Sequence, residues 1–384
     1  MAGAATAVAK DSSGAAWYNP ATLAAMDGKS FSAAVGIYKK FETRYGQGDD
    51  LVNAALRSNQ GFFRALPSST GSVIRPTQIS WLQDWTLSLS ILVPEFDSFR
   101  GDVNSTDTNM STLSMIDESI WAGGAMARRI SSSEFFGLTT YYTARSLTKT
   151  VSDRVYNSPT DFKIYNEERT LTQNAVVFIL GYLKEFNPNW KLGISARLPS
   201  IQVAGRATYI ENTIEETGST GTNKNFTQLD SKTRIPTKFS VGLSYDDQDR
   251  WLIAGDIALY GQEQYRDVEL DGVAENIEHR RILNASLGAE YKWNEWLKTR
   301  AGFFTNFSSH PDPDKNKVRG QGDKVDQLGF SANLAFRSGN IEYTFGGYYT
   351  GGNGKSVQRI SGNYDLINKA QNTFTMLVGN SYSF

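Results

Sequence analysis

The chain has 384 residues with 39 basic and 40 acidic side chains and no cysteine. A helical membrane protein of this length would show several apolar runs of roughly 20 residues; the best run here, Ala175 to Leu183, is far shorter, so helical spans are excluded. The charge balance leaves no basic excess for nucleic acid or an anionic surface, and the missing thiols fit an oxidising compartment. A mean hydropathy of −0.40 with 12% aromatic residues suits a water-soluble chain, and equally a barrel in which only alternate residues face lipid.

The first segment, Ala2 to Gly28, is rich in Ala and Gly and carries Asn19-Pro20-Ala21 after Trp17-Tyr18. Pro20 lacks an N–H and restricts Asn19 to extended conformations, so the chain turns here instead of continuing a helix. A small-residue stretch of this kind is suited to fold back and fill a lumen. Met1 leads into it without a basic segment and an apolar core, so an exported chain is expected to be a mature or N-terminally shortened form.

After Lys29 the chain falls into amphipathic runs. Six short turns stand out, at Leu82-Gln83-Asp84, Ser131-Ser132-Ser133, Asn187-Pro188-Asn189, Asp246 to Asp249, Asn294-Glu295 and Ser338-Gly339-Asn340. Their residue types supply the φ angles and caps that tight hairpins need. Seven longer segments alternate with them, centred on Leu51 to Ser72, Gly101 to Ser111, Ser152 to Tyr165, Glu211 to Ser231, Arg266 to Glu275, Ser308 to Val325 and Gly351 to Gln371. Thirteen connections join fourteen strands, and the alternation matches the short periplasmic turns and long extracellular loops of outer-membrane barrels. The expected architecture is all-β: a hatch over 1–29 and a fourteen-stranded antiparallel transmembrane barrel over 30–384.

Trp81, Trp85, Trp190, Trp251, Trp293 and Trp296 lie beside short turns, as an aromatic girdle would. The last strand alternates Phe374, Met376, Val378, Tyr382 and Phe384 with small and polar residues, and ends the chain on an aromatic.

Several residues are candidates for function. Asp49-Asp50 followed by Leu51, Leu56, Phe62 and Phe63 predicts a capped amphipathic helix in the first long loop. Its apolar residues either form a ligand-capture groove or pack the loop onto the rim. Pro94, between Val93 and Glu95 in the third strand, interrupts a hydrogen-bond ladder and predicts a kink; Pro199 raises the same question in the seventh. Asp256, Glu290 and Arg300 face inward on three successive strands and predict an ion-pair network, with a ligand carboxylate on Arg300 as the alternative. Asp312 and Asp314 lack the glycine and terminal glutamate of a calcium loop, so no metal or cofactor is expected. His279 and His310 are the only imidazoles and neither sits in a nucleophile motif, so no enzyme is expected; a His310–Asp312 hydrolase is the remote alternative.

The run AGAATAVAKDSSGAAWYNPATLAAM resembles the hatch of the long-chain fatty acid transporter family of FadL/TodX type. Its features are Asp11, the small residues Ser12 to Ala16, Trp17-Tyr18, Asn19-Pro20-Ala21 and Leu23, with a weaker echo in GISARLPSIQVAG from Gly193 to Gly205. The resemblance implies a monomeric fourteen-stranded barrel in the bacterial outer membrane that takes up hydrophobic small molecules such as long-chain fatty acids. It implies gating by the hatch at Asn19, Pro20 and Ala21, and a wall opening in the third strand, where Pro94 stands. Release would be sideways into outer-membrane lipid, and the strand ending at Phe384 looks like the signal read by the barrel-assembly machinery. A protein-docking or secretion-shuttle barrel and a diffusion pore are the alternatives.

Overall fold

The computed structural model describes residues 2–8, 11–26, 28–46, 56–76, 78–105, 108–158, 161–215, 221–317 and 321–384, with the backbone alone at 56–67, 95 and 104–105. Among the described residues two short helices, α1 (Ser12–Tyr18) and α2 (Thr22–Ala25), precede eighteen strands. These are β1 (Ser30–Gly46), β2 (Leu56–Ile74), β3 (Trp85–Ser105), β4 (Asn109–Ser131), β5 (Glu134–Ser158), β6 (Asp161–Glu185), β7 (Trp190–Arg197), β8 (Ile201–Glu215) and β9 (Thr222–Asp230). They continue with β10 (Lys238–Asp246), β11 (Trp251–Tyr260), β12 (Glu263–Arg266), β13 (Asn276–His279), β14 (Ile282–Lys292), β15 (Leu297–Asn306), β16 (Lys324–Ser338), β17 (Ile341–Ile360) and β18 (Asn363–Ser383).

Fourteen of these strands form a closed antiparallel ring, β1 to β7, β10, β11 and β14 to β18. The ring shuts where β1 meets β18, in register from Ser30↔Ser383 to Gly46↔Asn368. β8 and β9 extend it as a hairpin on the upper part of β6, and β12 and β13 form a separate two-stranded sheet.

Closure removes the sheet edges that hydrocarbon cannot hydrate. The outward faces are apolar: on β11, Trp251, Ile253, Ile257 and Leu259 are exposed while Leu252, Ala254, Asp256 and Ala258 are buried inside. On β18, Phe374 and Met376 point out and Thr373 and Thr375 point in. Exposed Trp81, Trp190, Trp251, Trp293 and Trp296 cluster by the short turns, where an indole has its ring in hydrocarbon and its N–H at the headgroups.

The first long segment differs from expectation. Leu56, Phe62 and Phe63 lie on β2, paired with Arg44, Lys39 and Tyr38 of β1 respectively, and not on a loop helix. The reason is the edge of β1, which runs out to Gly46 and is completed by the returning chain; an open ladder outweighs an amphipathic period in a short segment. Leu51 lies outside the described residues. The hairpins β3–β4, β5–β6 and β17–β18 likewise carry strand through most of the predicted loops.

The hatch sits in the lumen. Asp11 caps α1 by accepting from Gly14 N at 2.7 Å. Ala15, Ala16, Ala21 and Leu23 are fully buried against Trp121, Phe135, Tyr141, Val177 and Leu183 of the wall. Five inward wall glycines make the seat. A Cβ at Gly71 would collide with Ser13, at Gly137 with Pro20 and Ala21, at Gly181 with Asn19, at Gly193 with Thr6, and at Gly242 with Asp256 and then Thr6. Gly181→Leu is therefore expected to unseat the hatch while the ladders keep the barrel closed. A barrel retaining its heat-modifiable gel mobility, with Trp17 emission moved to the red, is the expected result; unchanged emission would count against the glycine seat.

Candidate functional site

Asn19 holds the hatch together and to the wall. Its side chain is fully buried; Nδ2 donates to Thr6 O at 2.7 Å and to Tyr182 O at 3.0 Å, and Oδ1 accepts from Ala21 N at 3.1 Å. Its extended backbone (φ −159°) ends α1, as Pro20 requires. Thr139 Oγ1 on β5 donates to Ala16 O at 2.8 Å, and Ser12 and Ser32 share a hydroxyl contact at 2.7 Å.

Asp256 is a second anchor. Its Oδ2 accepts from Ala5 N at 2.9 Å, Thr6 N at 2.8 Å and Thr6 Oγ1 at 2.7 Å. It does not join Glu290 and Arg300, contrary to expectation. The register explains this, since Asp256 lies opposite Ser286, while Glu290 lies opposite Leu252 on that strand and Arg300 on the next. Arg300 instead bridges Glu290 and Glu342 at 2.6 Å each, and Lys298 meets Glu342 at 3.1 Å. Both carboxylates engage its guanidinium, so a structural network accounts for Arg300 without a ligand.

Between the hatch and the wall lies a cavity of about 1340 Å³. Its lining is mixed: Lys39, Asp97, Asp256, Glu290 and Arg300 border it, and so do Phe41, Pro94, Phe96, Tyr260 and Phe304. Lys39 Nζ donates to Phe96 O at 2.7 Å and stands 4.5 Å from the centre of the Phe41 ring.

The wall is interrupted beside this cavity. β2 and β3 pair from Ile74↔Leu87 only as far as Ser69↔Leu92. Two residues on stands Pro94, inside a bulge of the β3–β4 register between Leu92 and Glu95. Beyond it β3 follows β4, and β2 follows β1. Pro94 thus stands at a parting of two neighbouring strands, on the rim of the cavity.

The end away from the short turns is covered. Asp153 on β5 accepts from Arg359 Nε at 3.2 Å and Gly362 N at 2.7 Å, joining the tip of the β17–β18 hairpin to the opposite side of the ring. The segment from β12 to β13 buries Val268 and Val273 against Leu171, Ala207 and Tyr209. Arg169 on β6, itself buried, pairs with Asp267 and, at 3.3 Å, with Glu275 of that segment. His279 stacks near Tyr265 and lies 5.1 Å from His310, ring centre to ring centre. His310 meets that imidazole and packs on Gly322, which does not supply a catalytic pairing with Asp312; Asp312 bonds Lys324 at 2.9 Å. Among the described residues no group of three or more acidic, His or Cys side chains could hold a metal.

The wall glycines, Asp256 as a hatch anchor and the Arg169 cluster escape sequence reasoning. Isolated glycines within strand patterns are the one available signal, since they mark close backbone approach.

No protein-family model and no curated protein matches the chain. Solved structures do. A FadL homologue of Pseudomonas aeruginosa superposes with a TM-score of 0.71 at 14% identity, covering 100% of this chain and 96% of that one. The Pseudomonas putida toluene transporter TodX gives 0.62 at 16% identity, covering 100% and 98%. The Ralstonia pickettii toluene transporter TbuX gives 0.58 at 14%, covering 97% and 93%. The chain has the FadL/TodX fold. Its hatch, fourteen-stranded ring and chain length are all accommodated in that comparison.

Two outcomes follow from this geometry. Asp256→Ala removes three hydrogen bonds to a carboxylate and is expected to weaken hatch docking by about 2–4 kcal/mol, read as faster proteolysis or hydrogen exchange at residues 2–8 with barrel mobility unchanged. Burial, then His310 and Arg145, hold His279 down at about 4. Its neutral form is favoured in the docked cap, so docking is undiminished above the ordinary imidazole value near 6.5 and weakens as pH falls from there toward about 4. Protection factors for amide exchange over 261–281 should fall between pH 7.5 and 5, and His279→Gln should flatten that fall.

Proposed function

We propose that the protein is a bacterial outer-membrane channel for hydrophobic small molecules, which pass from the cavity sideways into the bilayer between β2 and β3. The carrying observation is the parting of these strands at Ser69 and Leu92, two residues before Pro94, beside a cavity that reaches Pro94 and Phe96. A greasy solute gains nothing from a water-filled route, whereas departure into lipid keeps its apolar surface out of water. The hatch, pinned through Asn19 and Asp256, keeps the lumen filled while the wall serves as the exit. The fold shared with FadL and toluene transporters supports this reading, with fatty acids and monoaromatic hydrocarbons as the substrate classes to compare.

In this reading Asn19, Pro20 and Ala21 gate the lumen and Pro94 keeps the wall parted. The strand ending at exposed Phe384, whose N–H donates to Lys29 O at 2.9 Å, is offered to the barrel-assembly machinery before closure, and the channel works as a monomer. A diffusion pore is the second reading, favoured by one observation: polar residues as far as Asn340 and Ser383 at the short-turn end line the same cavity.

Binding of a fluorescent long-chain fatty acid to the folded, detergent-purified protein, displaced by unlabelled fatty acid or toluene, tests the channel. Saturable, displaceable binding is expected; large, steady ionic conductance without it would favour the pore. Pro94→Ala restores a backbone donor at the parting and should lower uptake several-fold while leaving binding in place. Asn19→Ala should lower uptake too, and full uptake in both variants would sink the mechanism.

A further inference from the structure

The wall has a second interruption, between the seventh and eighth strands of the ring. β7 pairs with β10 up to Arg197↔Lys238, and β8 and β9 resume pairing only at Arg206↔Asp230. The edges between are Leu198 to Gly205 and Ser231 to Thr237. Each contains a proline, Pro199 and Pro236, so each has lost a donor that a ladder would need.

Side chains lace this seam in place of a ladder. Arg197 Nε and Nη2 donate to Pro236 O at 3.2 and 3.0 Å, and Ser200 Oγ accepts from Ile235 N at 2.9 Å. Gln202 Nε2 donates to Ser231 O at 2.6 Å and its Oε1 accepts from Thr233 N at 3.3 Å. One backbone bond, Ser231 N to Gly205 O at 3.2 Å, closes the upper end. Parting such contacts costs little net free energy where lumen water takes over the freed polar groups, which an apolar solute cannot do, and no regular ladder has to be broken.

The two sides of the seam suit a passage. Outside, Leu198, Ile201 and Val203 are 38%, 60% and 57% exposed. Inside, the cavity is bordered by Trp17, Arg197 and Tyr260, and the Arg197 guanidinium lies 5.9 Å from the Trp121 and Tyr260 ring centres. Ile235 packs against the hatch cluster, and Trp17 of the hatch meets Trp121 edge to face at 4.9 Å. The seam begins seven residues above the first residue of β7, Trp190 to Arg197, as the β2–β3 parting does above that of β3, Trp85 to Leu92. Both interruptions therefore begin the same number of residues from the short-turn end of their strands.

We propose that this seam is a second lateral doorway, latched by Arg197, Ser200 and Gln202 and coupled through Ile235 to the hatch. Its occupant is an apolar molecule with an aromatic ring, because the inner threshold is built of ring faces and a guanidinium. The doorway rests on the transport reading and makes the cavity a passage with two wall openings.

The chain has no cysteine of its own, so the pair Ser200→Cys/Ile235→Cys can staple the seam by oxidation, or by a short bis-maleimide where oxidation leaves the thiols unjoined. Stapling, verified by mass, is expected to reduce toluene uptake by about a third, the β2–β3 opening carrying the rest, with reduction of the disulfide restoring it. Ser200→Ala/Gln202→Ala, which loosens the latch, should raise uptake with binding unchanged. Stapled protein that binds toluene and transports it at the unstapled rate would overturn the doorway alone. Failure of unstapled, folded protein to bind or transport any hydrophobe would overturn the transport reading and the doorway with it.

Discussion

Hydrocarbon offers no partner to a backbone N–H or C=O, and this requirement governs the molecule. It forces β1 onto β18 and makes the ring close on itself. It also gives meaning to the places where pairing stops. In a soluble sheet an interrupted ladder is repaired by water; in a membrane wall it must be covered by side chains or by a solute. The parting of β2 from β3 and the laced seam between β7–β8 and β9–β10 are the two long interruptions described above, and both border the cavity.

The lumen obeys a different requirement. Hatch backbone comes close enough to the wall that side chains on five wall positions are replaced by hydrogen. Small residues on both partners allow this approach, with Ala15, Ala16 and Ala21 on one side and Gly137 and Gly181 on the other. Close packing fixes the position of the plug, and the polar anchors Asn19 and Asp256 satisfy backbone groups of Ala5, Thr6 and Tyr182. Steric fit and hydrogen-bond satisfaction therefore seat the hatch together. Neither requires a charge on the hatch to meet an opposite charge on the wall.

Charges are handled by pairing elsewhere. Arg300, Lys298, Glu290 and Glu342 neutralise one another on the wall, and Arg169 with Asp267 and Glu275 ties the covering segment to β6. Breaking one partner of such a buried set costs more than the set contributes as a whole. These groups consequently specify how the wall and cover fit, which is a constraint on shape more than a source of stability.

The alternation of bulk in Trp251 to Tyr260 and in the last strand, the tight turns and the tryptophans beside them are local, so strand number, facing and the girdle were legible in the sequence. The bulge at Pro94 and the end of α1 at Asn19-Pro20 were legible too, because proline acts on its own backbone and its immediate neighbour. The partner of Asp256, the fate of Leu56, Phe62 and Phe63, and the glycine seat were decided by tertiary structure. They depend on register and on which segments meet across the lumen, and a side-chain pattern with a period of two leaves both open.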